Sequence, residues 1–278
     1  MEHFVNPCIH FIQKQLQERG FKKVVLGLSG GIDSAVVATL ATLALGSENV
    51  RVLLMPSLSS NEEHFNDALN LAHSLELKSK IIQLAPFQQH FAKQEAMDFS
   101  GSGKDMENID INQKIRMGNF CARIRMALLY DCANVDNALV LGTSNKSEIL
   151  LGYGTIFGDL AYAINPIGGL YKTQIFALAL ALNVPQKIIA KKPSADLFAN
   201  QSDEADLGYD YTHIDAFLRA FEKLGGIQAT QHKEREHIKH KLKNAGFEHN
   251  MIESLSARVW NNAFKRTKPT ILELEHEA

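Results

Sequence analysis

Residues 24–34 of the chain read VVLGLSGGIDS, and this stretch decides the fold. Its first half, residues 24–28, is a short run of apolar and β-branched side chains, which predicts a buried strand. Residues 29–31 (Ser-Gly-Gly) predict a turn, because glycine allows backbone conformations that other residues avoid. From Ser34 to residue 45 most side chains are small and apolar, and Gly46 follows, so we expect a helix packed on most of its sides. A strand, a glycine turn and a buried helix in succession are typical of an α/β fold.

Strands and helices continue to alternate beyond this segment. Further strands are expected at residues 50–55, 80–84, 138–141 and, from a weaker pattern, 163–167. Helices are expected at residues 7–19, 61–75, 114–133 and 172–182. The sequence therefore predicts a doubly wound, parallel five-stranded sheet with helices on both faces. In such folds ligands bind beyond the carboxyl ends of the strands.

Two polar stretches interrupt this pattern, and the last part of the chain differs from it. Residues 98–112 and 191–210 are predicted to be long loops, the first of them a mobile excursion. From residue 211 onward the pattern is helical and charged, with no further strand. We therefore predict an α/β domain at residues 1–210 and a C-terminal helical appendage of the same domain at residues 211–278.

The composition makes several classes of protein improbable. The chain has 278 residues, of which 45% are hydrophobic, and a formal net charge of −2, which disfavours a broad nucleic-acid-binding face. No apolar run approaches the roughly 20 residues that span a bilayer, and the N-terminus does not resemble a signal peptide. The three cysteines form no CxxC pair, which indicates reduced thiols. We expect a cytoplasmic protein that binds neither nucleic acid nor a membrane.

The turn at residues 29–34 predicts a phosphate site. Gly30 and Gly31 allow the backbone to approach a ligand closely, and the following helix N-terminus offers unpaired N–H groups and partial positive charge. Ser29 and Ser34 add hydroxyl donors. Asp33 would repel a bare phosphate, which is explained if it holds Mg²⁺. The alternative is that these residues only make a turn and cap a helix, and it is disfavoured because the hexapeptide follows a core strand and opens a buried helix.

Two other nucleotide-binding motifs are absent from the sequence. The closest match to a Walker A loop, Gly101-Ser102-Gly103-Lys104, is followed by Asp105 instead of serine or threonine, and it lies in the polar excursion. No G-x-G-x-x-G fingerprint is present, so hydride transfer with a bound nicotinamide is not expected.

The hexapeptide SGGIDS resembles the signature loop of the N-type ATP pyrophosphatases, the PP-loop family, which cleave ATP between its α- and β-phosphates. The resemblance implies an adenine nucleotide alpha hydrolase-like fold and ATP contacts along the whole loop. The residues concerned are Gly27, Leu28, Ser29, Gly30, Gly31, Ile32, Asp33 and Ser34.

Three further segments resemble the NAD synthetases within this family. They are GTSNKSE at residues 142–148, YKTQ at 171–174 and PSADLFANQSDEADLG at 193–208. In the first of these family segments a threonine touches ATP and a glutamate binds Mg²⁺, and in the other two a lysine and a serine contact ATP. The resemblance therefore implies these roles for Thr143, Glu148, Lys172 and Ser194.

The resemblance also implies contacts to deamido-NAD. The segment GNFCARIRM contains Arg123 and Arg125, which lie two positions apart on a predicted helix and so point to different sides. The resemblance selects Arg123 for the substrate, and Arg125 is interpreted as a structural ion-pair partner. It also implies that Asp159 steers ammonia or ammonium and that Lys265 contacts deamido-NAD. Three positions depart from the family pattern on this substrate side, namely Ile156, Ala163 and Phe264.

The activity that the resemblance implies is the ATP-dependent amidation of deamido-NAD by a Mg²⁺-dependent homodimer. The implied catalytic residues are Asp33, Glu148, Asp159 and Lys172, with Mg²⁺ held by Asp33 and Glu148. Only about 20 residues precede the first strand, too few for the amidase domain of glutamine-dependent relatives, so free ammonia is the expected donor. Two alternatives stay open: another PP-loop ligase, such as a tRNA-modifying enzyme, and a non-catalytic ATP-binding sensor.

Overall fold

The computed structural model describes residues 4–95, 110–194 and 202–272, and a parallel sheet lies at its centre. The strands are β1 (Lys23–Gly27), β2 (Val50–Leu54), β3 (Lys78–Ile81) and β4 (Ala138–Val140). Their order across the sheet is β3-β2-β1-β4, and every neighbouring pair is parallel. The order reverses between β1 and β4, and such a switch point opens a crevice for ligands at the carboxyl ends of the two strands.

The sheet has four strands among the described residues, so the prediction of five strands is wrong. Residues 163–167 contribute only an isolated bridge between Leu141 and Ile164. Pro166 has no N–H to donate to a ladder. The chain then turns, with the Leu170 N–H donating to the Ile167 carbonyl at 2.9 Å. The segment therefore leaves the sheet before a strand can form.

The edge strand β3 also differs from its prediction, which covered residues 80–84. The structure has it at Lys78–Ile81, where all four side chains are exposed. A strand with exposed side chains gives no run of apolar residues to mark its position. Leu84 is buried, but it precedes a helix instead of ending a strand.

Helices occupy most of the remaining described chain. They are α1 (Val5–Arg19), α2 (Ile32–Leu45), α3 (Glu62–Ser74), α4 (Ala85–Gln94), α5 (Ile111–Asp136), α6 (Lys146–Leu151), α7 (Lys172–Ala181), α8 (Gln186–Ile189), α9 (Asp203–Leu207), α10 (Tyr211–Lys223), α11 (His232–Asn244) and α12 (His249–Asn261). The predicted helices correspond to α1, α2, α3, α5 and α7. Of the two predicted loops, residues 98–109 and 195–201 lie outside the described ranges, residues 111 and 112 begin α5, and residues 203–207 form α9.

The sheet is covered on both faces, as predicted. Helices α1, α2, α3 and α7 pack on one face, against alternate strand residues such as Val24 and Leu26. Helices α4 and α5 pack on the other face, against Val25 and Leu53. Successive residues of a strand point to opposite faces, so a short strand contributes to the packing on both faces of the sheet. The result is a three-layer arrangement with the crevice at one edge.

A second core lies beside the sheet and joins α6 to the C-terminal helices α10, α11 and α12. Its fully buried members include Phe217, Phe221 and Leu255. The Trp260 indole N–H donates to the Gly226 carbonyl at 2.8 Å. The helical pattern after residue 211 is thus confirmed, while the domain boundary at that residue stays a prediction. Across the described ranges, no helix combines the length and apolar character that crossing a membrane requires.

Candidate active site

A cavity of about 710 Å³ opens beyond the carboxyl ends of β1, β2 and β4. This is the place where a doubly wound sheet binds its ligands. Most of the predicted site residues line it: Gly27, Leu28, Ser29, Gly31, Ile32, Asp33, Ser34, Thr143, Glu148, Asp159, Lys172, Ser194 and Lys265. Two predicted residues, Gly30 and Arg123, do not. Residues that are far apart in sequence therefore meet at one cavity.

The loop at residues 29–34 is held in shape by its own two serines. The Ser34 hydroxyl donates to the Gly31 carbonyl at 3.0 Å and accepts from the Ser29 N–H at 3.2 Å. The Ser29 hydroxyl oxygen accepts from the Gly31 N–H at 3.2 Å. Helix α2 follows at once, with Gly31 as its N-cap residue. The serines thus stabilise a turn that points the start of α2 at the cavity.

Gly30 serves the loop through its backbone conformation. Its φ is +82°, in the left-handed region that side chains disfavour. A Cβ atom at this position would lie 2.0 Å from the carbonyl oxygen of His64, at the start of α3. Only glycine fits there, so the second residue of the motif lets the loop pack against α3 and does not itself line the cavity.

Three charged side chains meet beside the loop. The Lys172 ammonium lies 2.5 Å from Asp33 Oδ2 and 3.4 Å from Glu148 Oε1, and its side chain is 2% exposed. Asn145 links the two acids: its amide donates to Asp33 Oδ1 at 3.0 Å, and its backbone N–H donates to Glu148 Oε2 at 3.1 Å. The two carboxylates come from the first turns of α2 and α6, so the sheet edge brings them together as the sequence predicts.

The buried environment changes the acidity of this group. Burial, and then the neighbouring carboxylate of Asp33, raise the pKa of Glu148 to about 8. Burial alone would lower the pKa of Lys172, but the negative charges of Asp33 and Glu148 outweigh it and raise that pKa above its usual value. Lys172 therefore keeps its positive charge, and Glu148 takes up a proton more readily than an ordinary glutamate.

A second group of polar residues lines another part of the cavity. Asp159 Oδ1 accepts from the Thr155 N–H at 2.8 Å. Burial raises the pKa of Asp159, although the hydrogen bond from Thr155 and the charge of Lys265 act against it. The Lys265 ammonium donates to the carbonyls of Gly152 and Gly154, at 2.8 Å and 2.9 Å. An acid with a raised pKa thus lies near a lysine on the cavity wall.

The two arginines of α5 lie on different sides of the helix, as its spacing predicts, and only one of them lines the cavity. Arg123 is exposed and lies outside the cavity lining. Arg125 lines the cavity, and its Nε and Nη2 donate to the Met55 carbonyl at 3.2 Å and 3.1 Å. The cavity of the single chain is therefore lined by Arg125 and not by Arg123, and the substrate contact of Arg123 stays a prediction. Arg125 thus also binds the backbone just after β2. The structural role that the sequence predicts for it is that of an ion-pair partner.

Comparison with known proteins gives the family. The model of the NAD synthase family matches residues 4–269, almost the whole chain. This chain belongs to the NAD synthase family. The NH(3)-dependent NAD(+) synthetase of Helicobacter hepaticus (strain ATCC 51449 / 3B1) is 87% identical over 273 residues, which cover 98% of this chain and 99% of that protein. The resemblance found in the sequence is thereby confirmed.

Solved structures of NAD synthase relatives share the fold. The NH3-dependent NAD synthetase from Campylobacter jejuni, solved in complex with a nitrate ion, superposes with a TM-score of 0.75 at 41% identity and covers 98% of both chains. The NMN synthetase from Francisella tularensis superposes with a TM-score of 0.79 at 28% identity, again over 98% of both chains. The similarity therefore extends over the sheet and the C-terminal helices together.

Several cavity residues of this NAD synthase family member were not singled out from the sequence. Asp203 and Asp206 lie within the matched segment 193–208, so that segment was their only signal. The Tyr153 hydroxyl donates to Asp206 Oδ2 at 2.9 Å. Arg258, on α12, also lines the cavity, and its Nη2 donates to the Asp206 carbonyl at 2.9 Å. No local motif marks Arg258, because only the packing of α12 brings it to the site.

Proposed function

We propose that the protein is a ligase that uses ATP to amidate the carboxylate of deamido-NAD with free ammonia, releasing AMP and pyrophosphate. The observation that carries the proposal is the meeting of Asp33, Glu148 and Lys172 beside the loop 29–34, at the switch point of the sheet. The name of the relative at 87% identity, NH(3)-dependent NAD(+) synthetase, supports NAD as the product and ammonia as the nitrogen donor.

The loop 29–34 is proposed to hold the β- and γ-phosphates of ATP. It opens α2, whose first N–H groups carry partial positive charge suited to an anion. The buried ammonium of Lys172 adds a full positive charge on the same side of the cavity. Thr143 and Ser194 line the cavity as well and are proposed to complete the ATP contacts. These groups orient the triphosphate and neutralise its charge before any bond changes.

Asp33 and Glu148 are proposed to hold Mg²⁺ together with the phosphates. Mg²⁺ prefers oxygen ligands and is usually bound by one or two carboxylates, substrate phosphates and waters. In the part of the chain that the structure describes, no group of three or more His, Cys, Asp or Glu side chains is arranged to hold a metal alone. Two partly buried carboxylates beside a single ammonium therefore suit a metal that also binds the substrate phosphates. When bound, such an ion supplies charge neutralisation for the phosphates.

Transfer of AMP is proposed to precede amidation, because a free carboxylate resists attack by ammonia. A carboxylate oxygen of deamido-NAD attacks the α-phosphorus of ATP, and the bond from that phosphorus to the pyrophosphate oxygen breaks. The protein contributes Lys172 and the loop N–H groups, which stabilise the negative charge that collects on pyrophosphate. Ammonia then attacks the acyl carbon, the nitrogen releases one proton as the amide forms, and AMP leaves as a phosphate monoester. Neither step requires a covalent bond to a side chain.

Asp159 is proposed to receive or orient the nitrogen donor. Burial raises the pKa of Asp159, which makes its ionised form a better proton acceptor for ammonium. Lys265 lies near this acid and is proposed to contact deamido-NAD, with Arg125 as a further contact because it lines the cavity. Arg123 lies outside the cavity of the single chain. Its predicted contact is therefore with a part of the substrate that extends beyond this cavity, or with substrate bound to a second subunit.

A homodimer is proposed as well. Large apolar side chains on α4 and α5 are exposed, among them Phe87, Tyr130 and Val135, which is 75% exposed. Exposed apolar surface of this kind marks protein interfaces. Light scattering on the purified protein tests the proposal, and a mass of one chain at micromolar concentration contradicts it.

One assay tests the proposed activity. The protein is incubated with ATP, Mg²⁺, ammonium and deamido-NAD, and NAD, AMP and pyrophosphate are measured over time. We expect the three products in equal amounts. The carboxylate precursor of NMN is the comparison substrate, because one structural relative is an NMN synthetase. Pyrophosphate without NAD would favour another PP-loop ligase, and ATP binding without any product would favour a sensor.

A further inference from the structure

A buried carboxylate from the C-terminal helices reaches the starts of two of the three helices that carry the charged cluster. Asp215, on α10, is 2% exposed. Its Oδ1 accepts from the Ser147 hydroxyl at 2.5 Å, and its Oδ2 accepts from the Thr173 N–H at 2.8 Å. Ser147 lies in the first turn of α6, next to Glu148, and Thr173 lies in the first turn of α7, next to Lys172. One side chain therefore connects the two helix starts.

The connection continues into the backbone of the lysine itself. The Ser147 hydroxyl oxygen accepts from the Lys172 N–H at 3.0 Å, so Ser147 both receives from α7 and donates to Asp215. The first N–H groups of a helix have no partner within the helix. Here two of them, those of Lys172 and Thr173, are satisfied by groups from α6 and α10. A negative charge at this position also suits the positive end of the α7 dipole.

We propose that Asp215 is a positioning residue for the reaction, acting through Ser147 to fix the α6 and α7 starts relative to each other. The inference rests on the proposed function, since Glu148 and Lys172 must be held at a set separation to engage a metal and a triphosphate together. Asp215 does not line the cavity, and its effect passes through Ser147, Lys172 and Thr173.

A second carboxylate on α10 provides a matched control. Glu222 lies about two turns further along the same helix, and its Oε2 accepts from the Lys146 ammonium at 2.6 Å and from the Tyr171 hydroxyl at 2.7 Å. Lys146 immediately precedes Ser147, and Tyr171 immediately precedes Lys172. Glu222 therefore joins the same three helices through side chains alone, without contacting the helix N–H groups. Because Asp215 is 2% exposed and the Glu222 side chain 40%, the kinetic losses of the two variants are compared together with their unfolding free energies.

The central experiment compares Asp215→Asn with Glu222→Gln in the full chain. Asparagine has one acceptor oxygen, and turning it toward the Thr173 N–H leaves an amide donor facing Ser147, whose hydroxyl proton then loses its acceptor. We expect kcat to fall about tenfold or more in Asp215→Asn, because small misplacements of reacting groups are costly. The Mg²⁺ concentration for half-maximal rate is expected to rise. Glu222→Gln is expected to keep both values within about twofold.

A milder variant and a double mutant make the test independent of folding losses. Ser147→Ala removes the hydroxyl but leaves the Asp215 contact to Thr173, and we expect a smaller fall in kcat in the same direction. Combined with Asp215→Asn, it is expected to add little, because residues of one network are not additive. Thermal unfolding of every variant is recorded, and kinetics are measured well below the lowest melting temperature.

The outcomes separate this inference from the proposed function. Equal kcat and equal Mg²⁺ dependence in Asp215→Asn and wild type, or equal losses in Asp215→Asn and Glu222→Gln, overturn the positioning role. Fully additive losses in the double mutant overturn the route through Ser147. Absence of NAD formation by the wild-type protein overturns the proposed function instead. In that case Mg²⁺-dependent ATP binding, measured by calorimetry, still decides whether Asp215→Asn weakens the site and Glu222→Gln does not.

Discussion

Replacing Gly30 by alanine tests whether the shape of the loop at residues 29–34 decides activity. The residue has a φ of +82°, and the left-handed conformation costs an alanine about 1–2 kcal/mol. The added Cβ would also lie 2.0 Å from the His64 carbonyl oxygen, whereas real Cβ contacts stay beyond 3.0 Å. The loop or the start of α3 must therefore move by about 1 Å, and a misplacement of this size can cost about 10²-fold in rate.

We therefore expect Gly30→Ala to lower kcat/KM for ATP by about 10²-fold, measured as pyrophosphate release at subsaturating ATP. The control is Gly20→Ala, because Gly20 has a similar φ of +74° at the end of α1 but no atom within 4 Å of the added Cβ. The control carries the same conformational cost of about 1–2 kcal/mol in unfolding free energy. Its activity is expected to match wild type, since α1 does not reach the cavity.

Denaturant unfolding of both variants separates a loss of folded protein from a loss of loop geometry. If Gly30→Ala folds and retains the wild-type kcat/KM for ATP, neither the φ angle of Gly30 nor its close approach to His64 is required for activity. If Gly20→Ala loses as much activity as Gly30→Ala, general destabilisation explains both results.

Three further predictions follow from the site and the second core. Asp33→Ala and Glu148→Ala are each expected to lower Mg²⁺-dependent pyrophosphate release by about 10²-fold or more, and near-normal release in both removes them from the metal site. For Asp159→Asn, the pH profile is measured at a constant concentration of free ammonia. Burial raises the pKa of Asp159. As the pH falls, its carboxylate therefore becomes protonated at a higher pH than that of an ordinary aspartate. Wild-type activity should therefore decline on the acid side, the variant should lack that decline, and identical profiles contradict the role. Phe217→Ala empties a fully buried site between Phe221 and Phe247 and is expected to lower the unfolding free energy by about 3–5 kcal/mol, measured in urea.

The central part of the fold follows from the sequence because its signals are local. The buried strands β1, β2 and β4 each show a run of apolar residues, and α2 is marked by small apolar side chains between Gly31 and Gly46. Edge elements lack that signal. Strand β3 exposes its side chains, so its position was missed by about two residues. The short helices α6, α8 and α9 span only one or two turns, which is too few for a helical period to be recognised.

The same distinction applies to the site. Asp33 stands in a recognisable loop, and Glu148 and Lys172 stand in segments that resemble the family, so all three were predicted. The burial of Lys172 was not, since a lysine at a helix start is usually solvated. Asp215 was not predicted either, because it meets Ser147 across 68 positions of sequence and belongs to no motif. Contacts that depend on how α10 packs become visible only in the folded chain.

The C-terminal helices therefore have more than a supporting role, although a composition-based boundary separates them from the sheet. Asp215 connects the starts of α6 and α7, while Arg258 and Lys265, from the last part of the chain, line the cavity itself. The second core packs α6 against α10 and α12 through residues such as Leu150 and Leu255. Glu148 is thus carried by α6, a short helix whose position depends on the second core as well as on the sheet. The sheet supplies the loop 29–34, the C-terminal part supplies Arg258 and Lys265 and contacts the starts of α6 and α7, and neither part alone contains all the residues that line the cavity.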